Sequence, residues 1–108
     1  MIIDTAHMSR QGMREILQNS TKPILNSHSN LYTLHEHARN IPDDIIDMFP
    51  ANGGVIGVSI YQAFISDSSE VLIDTYLDQV AYIINRIGDD HIGLGTDWHG
   101  IPKNKAVQ

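Results

Sequence analysis

The chain has 108 residues, the size of one domain, and its composition excludes several classes of protein. Thirteen acidic residues against seven Lys and Arg give a formal net charge of −6, which argues against a nucleic-acid partner. The sequence contains no Cys, so disulfides and thiolate zinc sites are excluded. No apolar run approaches the roughly 20 residues of a transmembrane helix. The first residues lack the features of a signal peptide, so we expect a cytoplasmic protein.

The first half of the chain alternates short apolar segments with one amphipathic helix. Met1–Ala6 is apolar and β-branched at its start, which predicts a first strand. Ser9–Asn19 is predicted to be a helix that Ser9 caps, with an apolar face formed by Met13, Ile16 and Leu17. Pro23–Asn26 is a second short apolar segment and is predicted to be the second strand.

The second half continues the alternation. Pro42–Phe49 is predicted to be a helix, because Pro suits its first position and two Asp residues follow. Gly54–Ile60 is rich in Val and Ile and is predicted to be the third strand. Val71–Ile87 is the longest predicted helix, ends at Gly88, and has an apolar face made of Ile73, Leu77, Val80, Ile84 and Ile87. His91–Leu94 is predicted to be the fourth strand.

This order of strands and helices predicts an α/β fold with a parallel sheet and right-handed crossovers. Two architectures fit, an open doubly wound sheet and part of a (β/α)8 barrel. A whole barrel needs about 250 residues, so four strands in one chain of this length correspond to about half of one.

Polar side chains follow the predicted strands at the ends where chemistry gathers in both architectures. The first strand is followed by His7, the second by His28, and the fourth by Asp97. The carboxyl ends of parallel strands form one rim of the sheet. Two imidazoles and a carboxylate at this rim are suited to bind zinc and to move a proton beside it. Hydrogen bonds from each His to a loop carbonyl are the structural alternative. Arg39 follows the second strand, where it either clamps a substrate carboxylate or forms a salt bridge within the loop.

Five segments together resemble the membrane dipeptidase (renal dipeptidase) family of zinc metallopeptidases, the M19 peptidases, among the amidohydrolase-like (β/α)8 barrels. In chain order they are Ile3-Asp4-Thr5-Ala6-His7-Met8-Ser9, Asn26-Ser27-His28-Ser29-Asn30, Ala38-Arg39-Asn40-Ile41-Pro42-Asp43-Asp44, Gly53-Gly54-Val55-Ile56-Gly57-Val58 and Gly93-Leu94-Gly95-Thr96-Asp97-Trp98-His99-Gly100. They occur in the family's order, with its approximate spacings, and extend over nearly the whole chain.

The resemblance implies a role for each candidate residue. His7 and His28 are similar to two histidines that bind one of the family's two zinc ions. Arg39 is similar to the residue that receives the C-terminal carboxylate of a dipeptide. Asp97 is similar to the carboxylate that contacts the substrate and acts as general base and acid in its hydrolysis.

The chain also departs from the family pattern. His99 stands where the family usually has a second Asp, and Gln79 replaces a common His, which we expect to affect packing only. The His-x-Asp pair and the bridging glutamate that complete the family's zinc centre have no counterpart in this sequence. We therefore expect residues 1–108 to form a single partial domain, the C-terminal half of the barrel with about strands 5–8, inactive in hydrolysis when isolated.

Two other functions stay open at this point. One is a non-catalytic half-barrel that pairs with another chain, and the other is a different amidohydrolase-type metal hydrolase. The outer strands of a half-barrel would also have free edges without a protecting Lys or Pro, so we expect self-association through these edges.

Overall fold

Three parallel strands form the centre of the computed structural model, which describes residues 1–68, 70–71 and 73–107. The strands are β1 (Leu25–Ser29), β2 (Val55–Val58) and β3 (Ile92–Leu94), and they lie side by side in that order. Each strand therefore pairs with the next one in the chain, as in a barrel, whereas a doubly wound sheet reverses its strand order. The predicted parallel α/β arrangement is confirmed.

The predicted first strand is reduced to a single bridge. Asp4 pairs in parallel with Leu25, held by hydrogen bonds from the Thr5 N–H to the Leu25 carbonyl (2.8 Å) and from the Leu25 N–H to the Ile3 carbonyl (3.0 Å). The chain then turns, because the Met8 N–H bonds to the Thr5 carbonyl. The prediction of a full strand over Met1–Ala6 is thus wrong, since this segment pairs on one side only and turns away after one bridge.

The first helix confirms its prediction. Helix α1 (Arg10–Asn19) begins after Ser9, whose Oγ accepts the Gly12 N–H at 3.1 Å. Met13 and Leu17 are buried, and Ile16 packs against the same core. The apolar face predicted from spacing is therefore the face that packs.

The helix predicted over Pro42–Phe49 is divided into two short helices. Helix α2 (Asp43–Ile46) ends at Asp47, and helix α3 (Phe49–Asn52) begins after Met48. Pro50 lies at the second position of α3 and has no N–H with which to continue the hydrogen-bond ladder of α2. The break still leaves Ile45, Ile46 and Phe49 fully buried.

Helix α4 (Ile73–Ile87) is rotated relative to the predicted apolar face, of which Val80 and Ile87 still pack against the core. Residue 72, which the prediction included, lies outside the described residues. The buried side chains are Tyr76, Gln79 and Ile83, whereas three members of the predicted apolar face are exposed, with fractions of 52% for Ile73, 49% for Leu77 and 39% for Ile84.

Two polar contacts explain the orientation of α4. The Tyr76 hydroxyl donates to the Val58 carbonyl at the end of β2 (3.3 Å), and Gln79 Oε1 accepts the N–H of Leu31 (3.1 Å). Both contacts are buried, so rotating the helix to bury the more apolar face would leave polar groups without partners. Gln79 thus holds the backbone of Leu31 through a buried hydrogen bond, and the expectation that its replacement of His affects packing only stays a prediction.

The sheet is sharply curved where its strands end. Between Asn26 and Ser29, β1 has one residue more than the matching part of β2, which forms a bulge. The bulge brings the Ser27 carbonyl so close to Gly57 and Gly95 that a Cβ on either glycine would overlap it. Small residues at these two positions therefore let the three strands converge at this end.

No helix within the described residues is both long and apolar enough to cross a membrane. The cytoplasmic location expected from the sequence stays a prediction.

Replacing Gly95 by Ala should destabilise the fold by about 1–3 kcal/mol, the usual effect of overpacking, because the new methyl group overlaps the Ser27 carbonyl. Gly93→Ala is the matched control, since its Cβ would meet only Val55 Cγ1 at an ordinary 3.5 Å. Urea unfolding curves measure both changes. Equal unfolding midpoints for the two variants would contradict the close approach of the strands.

Candidate metal and substrate site

Four polar side chains meet beyond the carboxyl ends of the strands. His7 Nε2 lies 3.0 Å from His28 Nε2, and Arg39 Nη1 lies 2.6 Å from His7 Nδ1. His28 Nε2 lies 3.9 Å from Asp97 Oδ2, which is longer than a hydrogen bond. All four residues predicted from the sequence are thus brought together, and their roles stay predictions.

The backbone at this rim is unusual at two of the four residues. His7 (φ 68°) and Asp97 (φ 53°) are the residues other than glycine with positive φ among those the structure describes. The left-handed region is unfavourable for most residues with a Cβ, and such conformations are found in turns and cluster at functional sites. At both residues the backbone therefore departs from the extended conformation of the strands.

The bulge in β1 orients His28. Its ring is mostly buried, with 17% of the side chain exposed, and its Nδ1 lies 2.9 Å from the Ser27 Oγ. The rings of His7 and His28 are in edge-to-face contact, with 5.0 Å between their centroids. The neighbouring bridge residue Asp4 accepts the Ser27 N–H at 3.0 Å, which ties the first segment to the bulge.

Arg39 lies in the loop after β1, close to an aromatic ring. Its N–H donates to His37 Nδ1, and its guanidinium carbon lies 5.3 Å from the centroid of the Phe64 ring. The Nη2 atom is buried and has no hydrogen-bond partner among the residues that the structure describes. Burial lowers the pKa of Arg39, and the nearby Asp97 carboxylate partly opposes this. Arg39 therefore has a free donor in a partly desolvated place, which is suited to an anionic oxygen.

Asp97 is packed against its own turn. The Gly100 N–H donates to the Asp97 carbonyl (2.8 Å), and a Cβ on Gly100 would lie 2.6 Å from Asp97 Oδ2. The carboxylate thus occupies space that only a glycine leaves free. His99, which departs from the family pattern, is exposed beside it.

Two residues that support the site were not among those predicted from the sequence. Asn40 is fully buried, and its Nδ2 donates to the carbonyls of His35 (2.9 Å) and Phe64 (2.7 Å). Arg10 donates to the carbonyls of His37 and Asn40 from α1. These bonds fix the loop that carries Arg39. The sequence feature that could have indicated Asn40 is its place between Arg39 and the apolar Ile41. An amide side chain that is buried in a loop usually forms hydrogen bonds with backbone groups.

Within residues 1–68, 70–71 and 73–107, no three His, Asp or Glu side chains are grouped closely enough to hold a metal ion. The rim therefore offers a pair of imidazoles with a carboxylate farther away. His91 lies away from this rim, at the start of the predicted fourth strand, and its Nδ1 contacts the Gly54 carbonyl at 2.9 Å.

The chain is similar in sequence and in fold to known dipeptidases. The sequence profile of the membrane dipeptidase family (peptidase family M19) matches residues 1–106. An uncharacterized dipeptidase of Schizosaccharomyces pombe is 41% identical over 105 residues, which are 95% of this chain and 25% of that protein.

Two solved structures are similar in fold. One is a dipeptidase and metallopeptidase of family M19, with a TM-score of 0.87 and 26% identity over 97% of this chain and 30% of that one. The other is a Rhodobacter sphaeroides metallopeptidase bound to a phosphinate mimic of the dipeptide L-Ala-D-Ala, with a TM-score of 0.84 and 27% identity, covering 96% and 31%. These matches confirm the predicted fold class, part of an amidohydrolase-like (β/α)8 barrel.

The chain spans about a quarter of the length of the curated relatives it matches.

Proposed function

Because the chain belongs to the membrane dipeptidase family (peptidase family M19), we propose that its rim residues take part in zinc-dependent hydrolysis of dipeptides. One observation carries the proposal. Side chains from four separate segments, His7, His28, Arg39 and Asp97, converge beyond the strand ends, where barrel enzymes have their active sites. The similarity to a metallopeptidase bound to a dipeptide mimic supports a dipeptide as the substrate.

His7 and His28 would hold a zinc ion. The donor pair fits, because two nitrogens bound to one tetrahedral zinc at 2.0–2.1 Å are about 3.3 Å apart, close to the 3.0 Å between the two Nε2 atoms. Zinc supplies a water of lowered pKa and polarises a carbonyl group when it is bound. Two imidazoles are only half of a closed zinc site, so we expect weak binding.

His7 cannot bind zinc while it accepts a hydrogen bond from Arg39, so zinc binding requires Arg39 to move away from His7. A guanidinium only donates, so His7 Nδ1 must accept its N–H. Ligation through Nδ1 would use the same lone pair, and ligation through Nε2 would put the proton of the neutral ring on Nδ1. In both cases Arg39 loses its acceptor on His7. The guanidinium is then free to bind the C-terminal carboxylate of a dipeptide through two parallel hydrogen bonds.

Asp97 would act as general base and then as general acid. Its carboxylate is 40% exposed at the rim, so water and a substrate can reach it. We propose that it accepts a proton from the attacking water and returns it to the leaving amine. The isolated chain would be inactive, because the residues described offer only the two imidazoles to a metal ion.

Exposed apolar residues at the sheet edges support the proposal of self-association. Leu94 on β3 is 82% exposed, and Ile2, beside the bridge at the other edge, is 74% exposed. An open strand edge with apolar side chains is a template for pairing with another chain. A second copy of this chain could cover both edges, although it would supply the same incomplete set of metal ligands.

Zinc titration by calorimetry tests the metal proposal. The wild-type chain should bind zinc weakly, and the His7→Ala, His28→Ala double variant should lose this binding, because both proposed ligands are removed. His99→Ala removes an exposed histidine near the rim and should leave binding unchanged. Equal binding by the wild type and the double variant would refute the assignment.

The proposed role of Arg39 predicts selectivity for a free carboxylate. In NMR titrations of the zinc-loaded chain, a dipeptide should bind more tightly than its C-terminal amide, and Arg39→Lys should reduce this preference. The expected loss is about 1.5–3 kcal/mol, because Lys cannot form the paired hydrogen bonds. An unchanged preference in the variant would assign Arg39 a structural role.

Sedimentation velocity at micromolar concentration tests self-association. We expect the wild-type chain to form dimers or larger species and Leu94→Lys to shift it towards the monomer, since Lys on an edge strand opposes pairing. Leu34→Lys is the control, because Leu34 is also exposed (42%) but lies in a loop. A wild-type chain that sediments only as a monomer would contradict the proposal.

A further inference from the structure

Asp4 and Ser27 lie on the Nδ1 side of His28, and neither was among the site residues predicted from the sequence. Ser27 Oγ is 2.9 Å from His28 Nδ1, and Asp4 Oδ1 accepts the N–H groups of Ala6 and Ser27 at 3.0 Å each. Burial tends to raise the pKa of Asp4, but hydrogen bonds from the Ser27 hydroxyl and these two N–H groups outweigh it, so the pKa is lowered. Asp4 is therefore an ionised acceptor beside the Ser27 hydroxyl.

The hydrogen bonds across the rim have one consistent direction when both rings are neutral. Arg39 donates to His7 Nδ1, which puts the His7 proton on Nε2. That proton points to His28 Nε2, 3.0 Å away, which must therefore accept it. The proton of His28 is then on Nδ1 and points to Ser27 Oγ. The Ser27 hydroxyl then has its own proton to donate, and the carboxylate of Asp4, which accepts the Ser27 N–H at 3.0 Å, is the neighbouring group that can only accept.

The opposite order of donors and acceptors would place two protons between the two histidine rings. If the Ser27 hydroxyl donated to His28 Nδ1, the proton of His28 would be on Nε2. It would then face the proton on His7 Nε2 across the same 3.0 Å. The negative charge of Asp4 at one end and the positive charge of Arg39 at the other end thus select one tautomer for each ring.

We propose that Asp4 and Ser27 are positioning residues that hold the proton of His28 on Nδ1 and so keep the lone pair of Nε2 available for the metal ion. This inference rests on the proposed metal role of His28. A hydrogen bond from the second ring nitrogen of a histidine ligand to a nearby acceptor fixes its tautomer and raises its basicity. Here the acceptor next to His28 Nδ1 is the Ser27 hydroxyl, and the carboxylate of Asp4 favours the orientation in which this hydroxyl accepts. His7, in contrast, has the wrong tautomer for an Nε2 ligand until Arg39 leaves.

Nitrogen NMR of the histidine rings tests this directly in the metal-free chain. At a pH near 8, where an ordinary histidine is neutral, His28 should have its proton on Nδ1 in the wild type. Asp4→Asn replaces one carboxylate oxygen with an NH2 group, which donates to Ser27 Oγ and turns the hydroxyl towards His28. This variant and Ser27→Ala should raise the fraction of His28 that carries its proton on Nε2, because only the contact with His7 then opposes that tautomer. They should also weaken zinc binding about tenfold, the lower end of the usual effect of removing such a partner.

Two further variants separate positioning from general stability. Ser27→Thr keeps the hydroxyl and should retain both the wild-type tautomer and the zinc affinity. Ser9→Ala removes the cap of α1, which should lower the unfolding midpoint without changing the tautomer of His28.

Three results would decide the matter. A wild-type His28 with its proton on Nε2 would overturn the inference. So would Asp4→Asn and Ser27→Ala variants that lose stability as Ser9→Ala does but keep the tautomer of His28. A wild-type chain that binds no zinc, but in which the tautomer of His28 follows Asp4 and Ser27, would support the positioning role and refute the proposed metal site.

Discussion

The close approach of the Ser27 carbonyl to Gly57 and Gly95 is the constraint on which the site geometry depends. One extra residue in β1 moves this carbonyl towards the neighbouring strands, and the two glycines provide the space for it. The strands converge at their carboxyl ends as a result. This convergence places His28 of β1 within 3.9 Å of Asp97, which follows β3, although β2 lies between the two strands.

Buried amide side chains hold the loops that surround this end of the sheet. Gln79 binds the N–H of Leu31 from α4, Asn40 binds the carbonyls of His35 and Phe64, and Asn30 binds the Ser59 carbonyl at 3.0 Å. These contacts satisfy backbone groups that leave the sheet and would otherwise be buried without partners. The loop that carries Arg39 is therefore fixed from two sides, by α1 through Arg10 and by the loop after β2.

The charges at the rim are ordered rather than simply paired. Arg39 is the cationic end of a series of hydrogen bonds that passes through two imidazoles to the hydroxyl of Ser27, and the N–H of Ser27 binds the carboxylate of Asp4. The two histidines therefore have different tautomers. Arg39 donates to Nδ1 of His7, whereas Asp4 and Ser27 favour a proton on Nδ1 of His28. The same guanidinium has a second nitrogen that is buried and finds no partner in the described part of the chain, so its contact with His7 leaves part of its donor capacity unused. A carboxylate would satisfy both nitrogens of the guanidinium together.

The sequence by itself determined the alternation of strands and helices, the cap at Ser9 and the residues that follow the strands, because periodicity, capping chemistry and strand ends are local patterns. It could therefore predict that His7, His28, Arg39 and Asp97 lie on one rim. Only the tertiary structure decided which face of α4 is buried, since Tyr76 and Gln79 bind backbone groups distant in the chain and so outweigh the more apolar face. The roles of Asp4 and Ser27 were likewise hidden, because the direction of a hydrogen bond depends on partners that only the folded chain brings together.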